Sequence, residues 1–244
     1  MVERCAVVTG VSKGLGEALA ANLLARGFDV VGVGRSASRR LDSPAFRLVD
    51  ADLADVDSLP AKVDALFDAL AAQRLATLAV INNAAIGGPA GTFGQLEADG
   101  IAESIAINLV APMIIANAFV RATRNARFER RLINVSSGAA VRPIPGGGVY
   151  NVGKAGIEML TAAIAAEQPE SGVRAITIRP GIIDTPMQAF MRSQPVARLP
   201  SVGMFQAFHL SGQLVPPDVT AAKIVDRLVL GPIENGRIYG YHEL

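Results

Sequence analysis

Residues 5–16 read Cys5-Ala6-Val7-Val8-Thr9-Gly10-Val11-Ser12-Lys13-Gly14-Leu15-Gly16. An apolar run ends in a turn holding three glycines, and a helical pattern starts at once behind it. Leu15 to Arg26 sets Leu19, Leu23 and Leu24 on one face, and Gly27 can close that helix as its C′ residue. The apolar run is continuous rather than alternating, as expected of a parallel strand buried on both faces. Glycines between such a strand and helix let the backbone turn sharply and approach a pyrophosphate. The helix N-terminus adds unpaired N–H donors and a partial positive charge.

Working outward, the same alternation continues. Asp29–Gly34, Phe46–Asp50, Leu78–Asn82, Arg131–Ser136, Arg174–Arg179 and a short Arg237–Tyr239 read as further strands. Leu59 to Ala72 repeats the helical pattern with Val63, Leu66, Phe67 and Leu70. Strands alternating with helices mean βαβ units and right-handed crossovers. The expected fold is α/β: one doubly wound (Rossmann) domain over residues 1–244, with a mostly parallel seven-stranded sheet and helices on both faces. No repeat or linker divides the chain. The exception to the alternation is Pro186 to Pro217, which holds Met187, Phe190, Met191, Met204, Phe205 and Phe208. So long an insertion reads as a substrate lid over about 186–217, or equally as a packed subdomain or subunit contact.

Bulk properties exclude several classes. The chain has 244 residues, half of them hydrophobic, so it is not disordered. A formal charge of +1 leaves no electrostatic footprint for nucleic acid. Cys5 is the only cysteine, expected to pack as a small buried group, so no intrachain disulfide forms. With two histidines, His209 and His242, no structural zinc site is expected. No signal peptide is read at the start. The most membrane-like stretch, Ile105 to Val120, carries Asn108, Pro112 and Asn117 and reads as too short and interrupted to span a bilayer. A cytoplasmic location follows as the expectation.

Three residues, not one, separate Gly10 from Gly14. The pattern TGxxxGxG resembles the short-chain dehydrogenase/reductase family. That resemblance implies a dinucleotide held by Gly10, Ser12, Lys13, Gly14, Leu15 and Gly16. An acidic residue at the end of the second strand would suit NAD and repel a 2′-phosphate. Here Gly34 stands in its place, followed by Arg35 and Ser36, with Lys13 on the same side. Two cations and a hydroxyl facing one phosphate favour NADP(H), each charge-assisted bond being worth about 1.5–3 kcal/mol. The resemblance further assigns Asp52 and Leu53 to the adenine edge. It matches Asn82-Asn83-Ala84-Ala85 to the family's NNAG, with Ala85 in place of the last glycine.

Tyr150-Asn151-Val152-Gly153-Lys154 puts Tyr and Lys at i and i+4, one turn apart on one helix face. A free tyrosine titrates near ~10, and an ammonium nearby lowers that value. Lys154 is therefore expected to tune Tyr150 as a general acid. Ser137 lies just past the fifth strand, where its hydroxyl can bond a carbonyl oxygen as charge develops. Ser136 is its neighbour and competitor, but the family's serine stands thirteen positions before the tyrosine, as Ser137 does. By the same resemblance Asn108 holds a water linking the lysine to solvent, and Lys154 binds the nicotinamide ribose. The turn Pro180-Gly181-Ile182-Ile183-Asp184-Thr185 holds the nicotinamide carboxamide through Ile183 and Thr185. A homodimer or homotetramer through the helices of Asn108 and Tyr150 is also implied.

Asp184-Thr185-Pro186-Met187-Gln188 and Glu234-Asn235-Gly236-Arg237-Ile238-Tyr239 are similar to the sepiapterin reductase and bacterial benzil reductase branch. This implies a small-molecule carbonyl substrate, a diketone or aromatic ketone, under an apolar lid. Gly146-Gly147-Gly148 is expected to leave room beside the Tyr150 hydroxyl. One alternative is a 3-oxoacyl-carrier-protein reductase, which would want more lid cations than Arg192 and Arg198. Another is a non-catalytic NADP(H)-sensing protein, which has no need of Ser137, Tyr150 and Lys154 together. His209, in the lid, reads first as an ordinary surface or core residue.

Overall fold

The computed structural model describes residues 3–168 and 172–244. Its strands are β1 Glu3–Thr9, β2 Asp29–Gly34, β3 Phe46–Asp50, β4 Leu75–Asn82, β5 Glu129–Val135, β6 Arg174–Arg179 and β7 Ile238–Gly240. They form one seven-stranded sheet in the order β3-β2-β1-β4-β5-β6-β7, and every pairing is parallel. Strand ends differ from the expected ones by a few residues. β4, for instance, starts at Leu75 because Leu75 pairs with Glu3.

Alternation along β1 explains the two layers. Cys5 and Val7 face a core built with α2 (Leu59–Ala71), α4 (Ala111–Ala122) and α5 (Gly148–Glu167). Ala6 and Val8 face the opposite core, built with α1 (Gly14–Ala25) and the helix starting at Pro217. Cys5 is buried, as its place in a two-faced strand requires. Gly27 takes φ +75° and closes α1, its N–H donating to Leu24 O and that of Phe28 to Leu23 O.

The sequence order reverses between β1 and β4, so their carboxyl ends open a crevice. That is where open α/β sheets bind ligands. Between β4 and β5 the chain forms one continuous helical run: α3 (Ala98–Ile105), a π-helical turn (Ala106–Val110) and α4. This corrects the expectation that Asn108 and Pro112 interrupt the stretch. The run of 25 residues is long and apolar enough, by length and composition, to cross a membrane. Pro112 stands in the first turn after the π-turn, where its missing N–H costs little. Ile115, Ala116 and Phe119 of α4 are buried in the core against α2.

The insertion is not a bare loop. It holds α6 (Pro186–Arg192) and α7 (Val202–Leu210), and α8 (Pro217–Ile224) follows. Met191, Leu199 and Val202 form a small core there with Ile144 and Phe205.

Candidate active site

The glycine turn sits at the sheet's switch point. Gly10 and Gly14 have φ of +74° and +64°, which L side chains rarely adopt. A Cβ on Gly16 would lie 2.2 Å from Gly10 O and 2.4 Å from Asn83 Nδ2, so only glycine fits there. Gly10 N donates to Val33 O at 3.0 Å, tying the turn to β2. Lys13 is the N-cap of α1, and its side chain does not cap the helix. The first-turn N–H groups therefore have no side-chain acceptor from their own cap and face an open, glycine-floored cradle. Such a cradle fits a dinucleotide pyrophosphate.

Across the switch point, Asn83 Nδ2 donates to Thr9 O at 2.9 Å. Thr9 Oγ1 accepts from both Asn83 N and Ala84 N at 2.9 Å. Thr9 was not among the expected site residues, yet it pins Asn83 and Ala84 to the turn. A threonine at the end of the first strand, ahead of the glycine, was the signal. Ala85 replaces the family's glycine without strain, since no non-glycine residue among those described has positive φ.

Lys13, Ser12, Arg35 and Ser36 are all exposed along this edge. The Arg35 guanidinium lies 3.6 Å from the Asp52 carboxylate, and its side chain is 73% exposed. Asp52 also accepts from Ala54 N at 3.0 Å, and Leu53 beside it is buried. Nearby, Arg40 pairs instead with Asp218 of α8 at 2.8 Å.

On α5, Tyr150 is half-buried and Lys154 is 3% exposed. Lys154 Nζ lies 5.6 Å from the Tyr150 ring centroid and donates to Val135 O at 2.8 Å. Ser137 is hydrogen-bonded to the Tyr150 side chain. Ser137 also N-caps the short helical turn Gly138–Ala140, its hydroxyl oxygen accepting from Ala139 N at 3.2 Å. Ser136 is turned inward, its Oγ donating to Glu158 Oε1 at 2.7 Å. Geometry thus separates the two serines, and Ser137 is the one that meets the tyrosine.

In the pair, burial sets the main shift of each group. Burial pushes the Tyr150 phenol up to about 12, and the Ser137 hydrogen bond offsets only part of that. Burial pushes Lys154 down to about 8.

Asn108 lies in the π-turn, a feature common at functional sites. Its Oδ1 accepts from Ile86 N at 2.8 Å, and its Nδ2 donates to Ile86 O at 2.9 Å and Ser104 Oγ at 3.1 Å. Its side-chain amide is committed to the loop after β4 and to Ser104. A Cβ on Gly153 would stand 3.1 Å from Asn108 Cβ, so Gly153 lets α5 pack close against the π-turn.

The turn after β6 packs beside the glycine turn at Gly14. Thr185 Cγ2 is 3.4 Å from where a Gly14 Cβ would be. Asp184 N donates to Val215 O and Val215 N to Ile182 O, both at 2.9 Å, which holds Ile183 in a short bridge. Thr185 Oγ1 accepts from Gln188 N at 3.4 Å and so caps α6. Gly181, with φ +79°, packs under Tyr241, and Pro180 leads into it.

The insertion covers this region. A Cβ on Gly87 would lie 3.2 Å from Met191 Sδ and 3.3 Å from Met187 Cγ. The glycines before Tyr150 do not leave the expected room. Gly146 (φ +84°) is pressed against Arg198, Leu199 and Pro200, Gly147 against Ile144, and Gly148 against Phe93. A separate apolar cleft of about 560 Å³, lined by Phe93, Val141, Ile144, Val152 and neighbours, includes neither Tyr150 nor α6 or α7. Val152 stands about 200° round the helix from Tyr150, on the outer side of α5. His209 is exposed at the end of α7.

Comparison with known proteins follows the same lines. The short chain dehydrogenase family model matches residues 4–195. A benzil reductase ((S)-benzoin forming) of Bacillus cereus is 30% identical, covering 96% of this chain and 98% of its own. A sepiapterin reductase of Rattus norvegicus is also 30% identical, covering 98% of this chain and 96% of its own. Among solved structures, KRED1-Pglu enzyme is similar with a TM-score of 0.83 and 27% identity, covering 97% of this chain and 100% of its own.

Proposed function

The chain belongs to the short chain dehydrogenase family and is an oxidoreductase of that family; from that premise we propose that it is an NADPH-dependent carbonyl reductase with Tyr150 as general acid. The observation that carries this reading is the Ser137–Tyr150 hydrogen bond, with Lys154 over the tyrosine ring. Both lie at the carboxyl ends of the strands, where the glycine cradle opens.

When bound, the nicotinamide cofactor supplies a hydride to the carbonyl carbon. Gly10, Ser12, Lys13, Gly14, Leu15 and Gly16 hold the pyrophosphate. Asp52, Leu53, Asn83, Ala84 and Ala85 line the adenosine side, and Pro180, Gly181, Ile183 and Thr185 the nicotinamide side. Lys13, Arg35 and Ser36 form the 2′-phosphate site. Tyr150, with its phenol held near 12, is fully protonated at neutral pH and can donate to the carbonyl oxygen. Ser137 bonds the same oxygen as negative charge grows on it. Lys154 is cationic below about pH 8, binds the nicotinamide ribose and returns a proton to Tyr150. Asn108 fixes the loop around Ile86 on which the cofactor rests.

The similarity to benzil and sepiapterin reductases supports a ketone or diketone as substrate. The methionines of α6 above Gly87 support an apolar lid over 186–217 on a single 1–244 domain. Exposed Met113, Val152 and Met159 on the outer sides of α4 and α5 support a homodimer or homotetramer. The lone buried Cys5 supports a reducing, cytoplasmic setting. The test is NADPH oxidation with a panel of ketones, diketones and pterins. We expect turnover on diketones, reduced at least a hundredfold by Tyr150→Phe. Tight NADPH binding with no turnover on any carbonyl would favour a cofactor sensor instead.

A further inference from the structure

Three chain segments carry the proposed chemistry, and each leaves a different element. Ser137 follows β5, Tyr150 and Lys154 lie on α5, and the Pro180–Thr185 turn follows β6. One carboxylate lies on α5 and bonds the residue just before each of the other two. Glu158 stands one turn beyond Lys154 and two beyond Tyr150 on α5, with its side chain only 11% exposed. Its Oε1 accepts from Ser136 Oγ and from Arg179 Nε, and its Oε2 accepts from Arg179 Nη2, each at 2.7 Å.

The partners are the residues immediately before the two site segments, Ser136 before Ser137 and Arg179 before Pro180. Ser136 Oγ also lies 3.4 Å from Lys154 O. The carbonyl that receives Lys154 Nζ belongs to Val135, next to Ser136. A shift of Ser136 therefore moves the Ser137 hydroxyl and the Lys154 anchor together. The bidentate arginine fork fixes direction as well as distance. Tyr150, Lys154 and Glu158 follow one another at four-residue spacing, so one helix face presents the proton donor, its lysine and this node.

We infer that Glu158 is a positioning residue, whose bonds to Ser136 and Arg179 set Ser137, Lys154 and the Pro180–Thr185 turn in register. The inference rests on the reductase reading above. An ion pair that merely holds α5 to the sheet would be replaceable by apolar packing, since a buried pair often exchanges for hydrophobic residues without loss of stability. A positioning pair would not be.

The test is the double variant Glu158→Met/Arg179→Met, with Ser136→Ala as the mild single-arm variant. Melting temperature, NADPH dissociation constant, kcat and KM are measured on each. We expect the double variant to fold, to bind NADPH within threefold of the parent and to lose kcat at least thirtyfold. Ser136→Ala should lose kcat three- to tenfold with KM unchanged. A Ser136→Ala enzyme with parental kcat, or a folded double variant within threefold of parental kcat, overturns the inference. A parent chain inert towards every carbonyl would be the failure of the reductase reading, and a crystal structure of Ser136→Ala then decides this one. Displacement of Ser137 or lengthening of the Lys154–Val135 contact supports it, and an unmoved site overturns it.

Discussion

Lys154 shows how one side chain links stability to pH. Burial lowers its pKa from 10.5 to about 8, so between those values the unfolded chain binds more protons than the folded one. Folding stability then rises with pH across that window, by up to about 1.4 kcal/mol per pH unit. Lys154→Met removes the effect. We expect the parent to gain about 2 kcal/mol relative to Lys154→Met between pH 8 and pH 10, read from denaturant melts at each pH. A flat difference would mean that the lysine is solvated. Tyr150, pushed up to about 12, acts in the opposite sense only above pH 10 and is present in both proteins. Arg35 makes a second prediction. Among the described residues its ion-pair partner is Asp52, at 3.6 Å with both groups exposed, a contact worth little by itself. Arg35→Ala should therefore leave the melting temperature alone and weaken NADPH at least tenfold while changing NADH less than threefold. Equal loss for both cofactors in a fluorescence titration would remove Arg35 from the phosphate site.

At the scale of elements, the π-turn in the 98–122 run places Asn108 against the loop after β4. It lets Asn108 reach back to Ile86 and lets Pro112 restart the helix without a clash. Asn108→Ala would orphan the Ile86 N–H and C=O and the Ser104 hydroxyl, costing about 2–4 kcal/mol. That corresponds to a fall of roughly 5–12 °C in Tm for a chain of this size, measurable by calorimetry. A change under about 1 °C would show that solvent replaces the amide. The elements also show what the sequence could express. The strand–glycine turn–helix at residues 5–26 was legible, because apolar runs and glycines report backbone needs directly. The helical content of 186–210 was not, because α6 and α7 are short and pack on a core of only a few side chains. Nor was the inward turn of Ser136: adjacent serines are chemically alike until the sheet decides which one faces Glu158.

At the scale of the whole molecule, the parallel sheet gathers the carboxyl ends of β1 to β6 on one side, and the proposed site residues lie beyond those ends or on helices packed beside them. Order and spacing of motifs in the sequence already express that arrangement. Side-chain commitments, such as the Asn108 amide on Ile86 or Thr185 capping α6, depend on contacts between segments far apart in sequence. The glycines at 146–148 illustrate the same limit, since their open backbone is filled by Phe93 and by Arg198 to Pro200. The central claim is that hydride from NADPH reaches a carbonyl carbon here while Tyr150 supplies the proton. The most direct measurement uses NADPH deuterated at the transferring carbon with a diketone, and mass spectrometry of the alcohol. One deuterium on the carbinol carbon with the parent chain, and at least a hundredfold slower formation with Tyr150→Phe, is the predicted result. Tight cofactor binding with no deuterium in any product, or a Tyr150→Phe rate equal to the parent's, would contradict it.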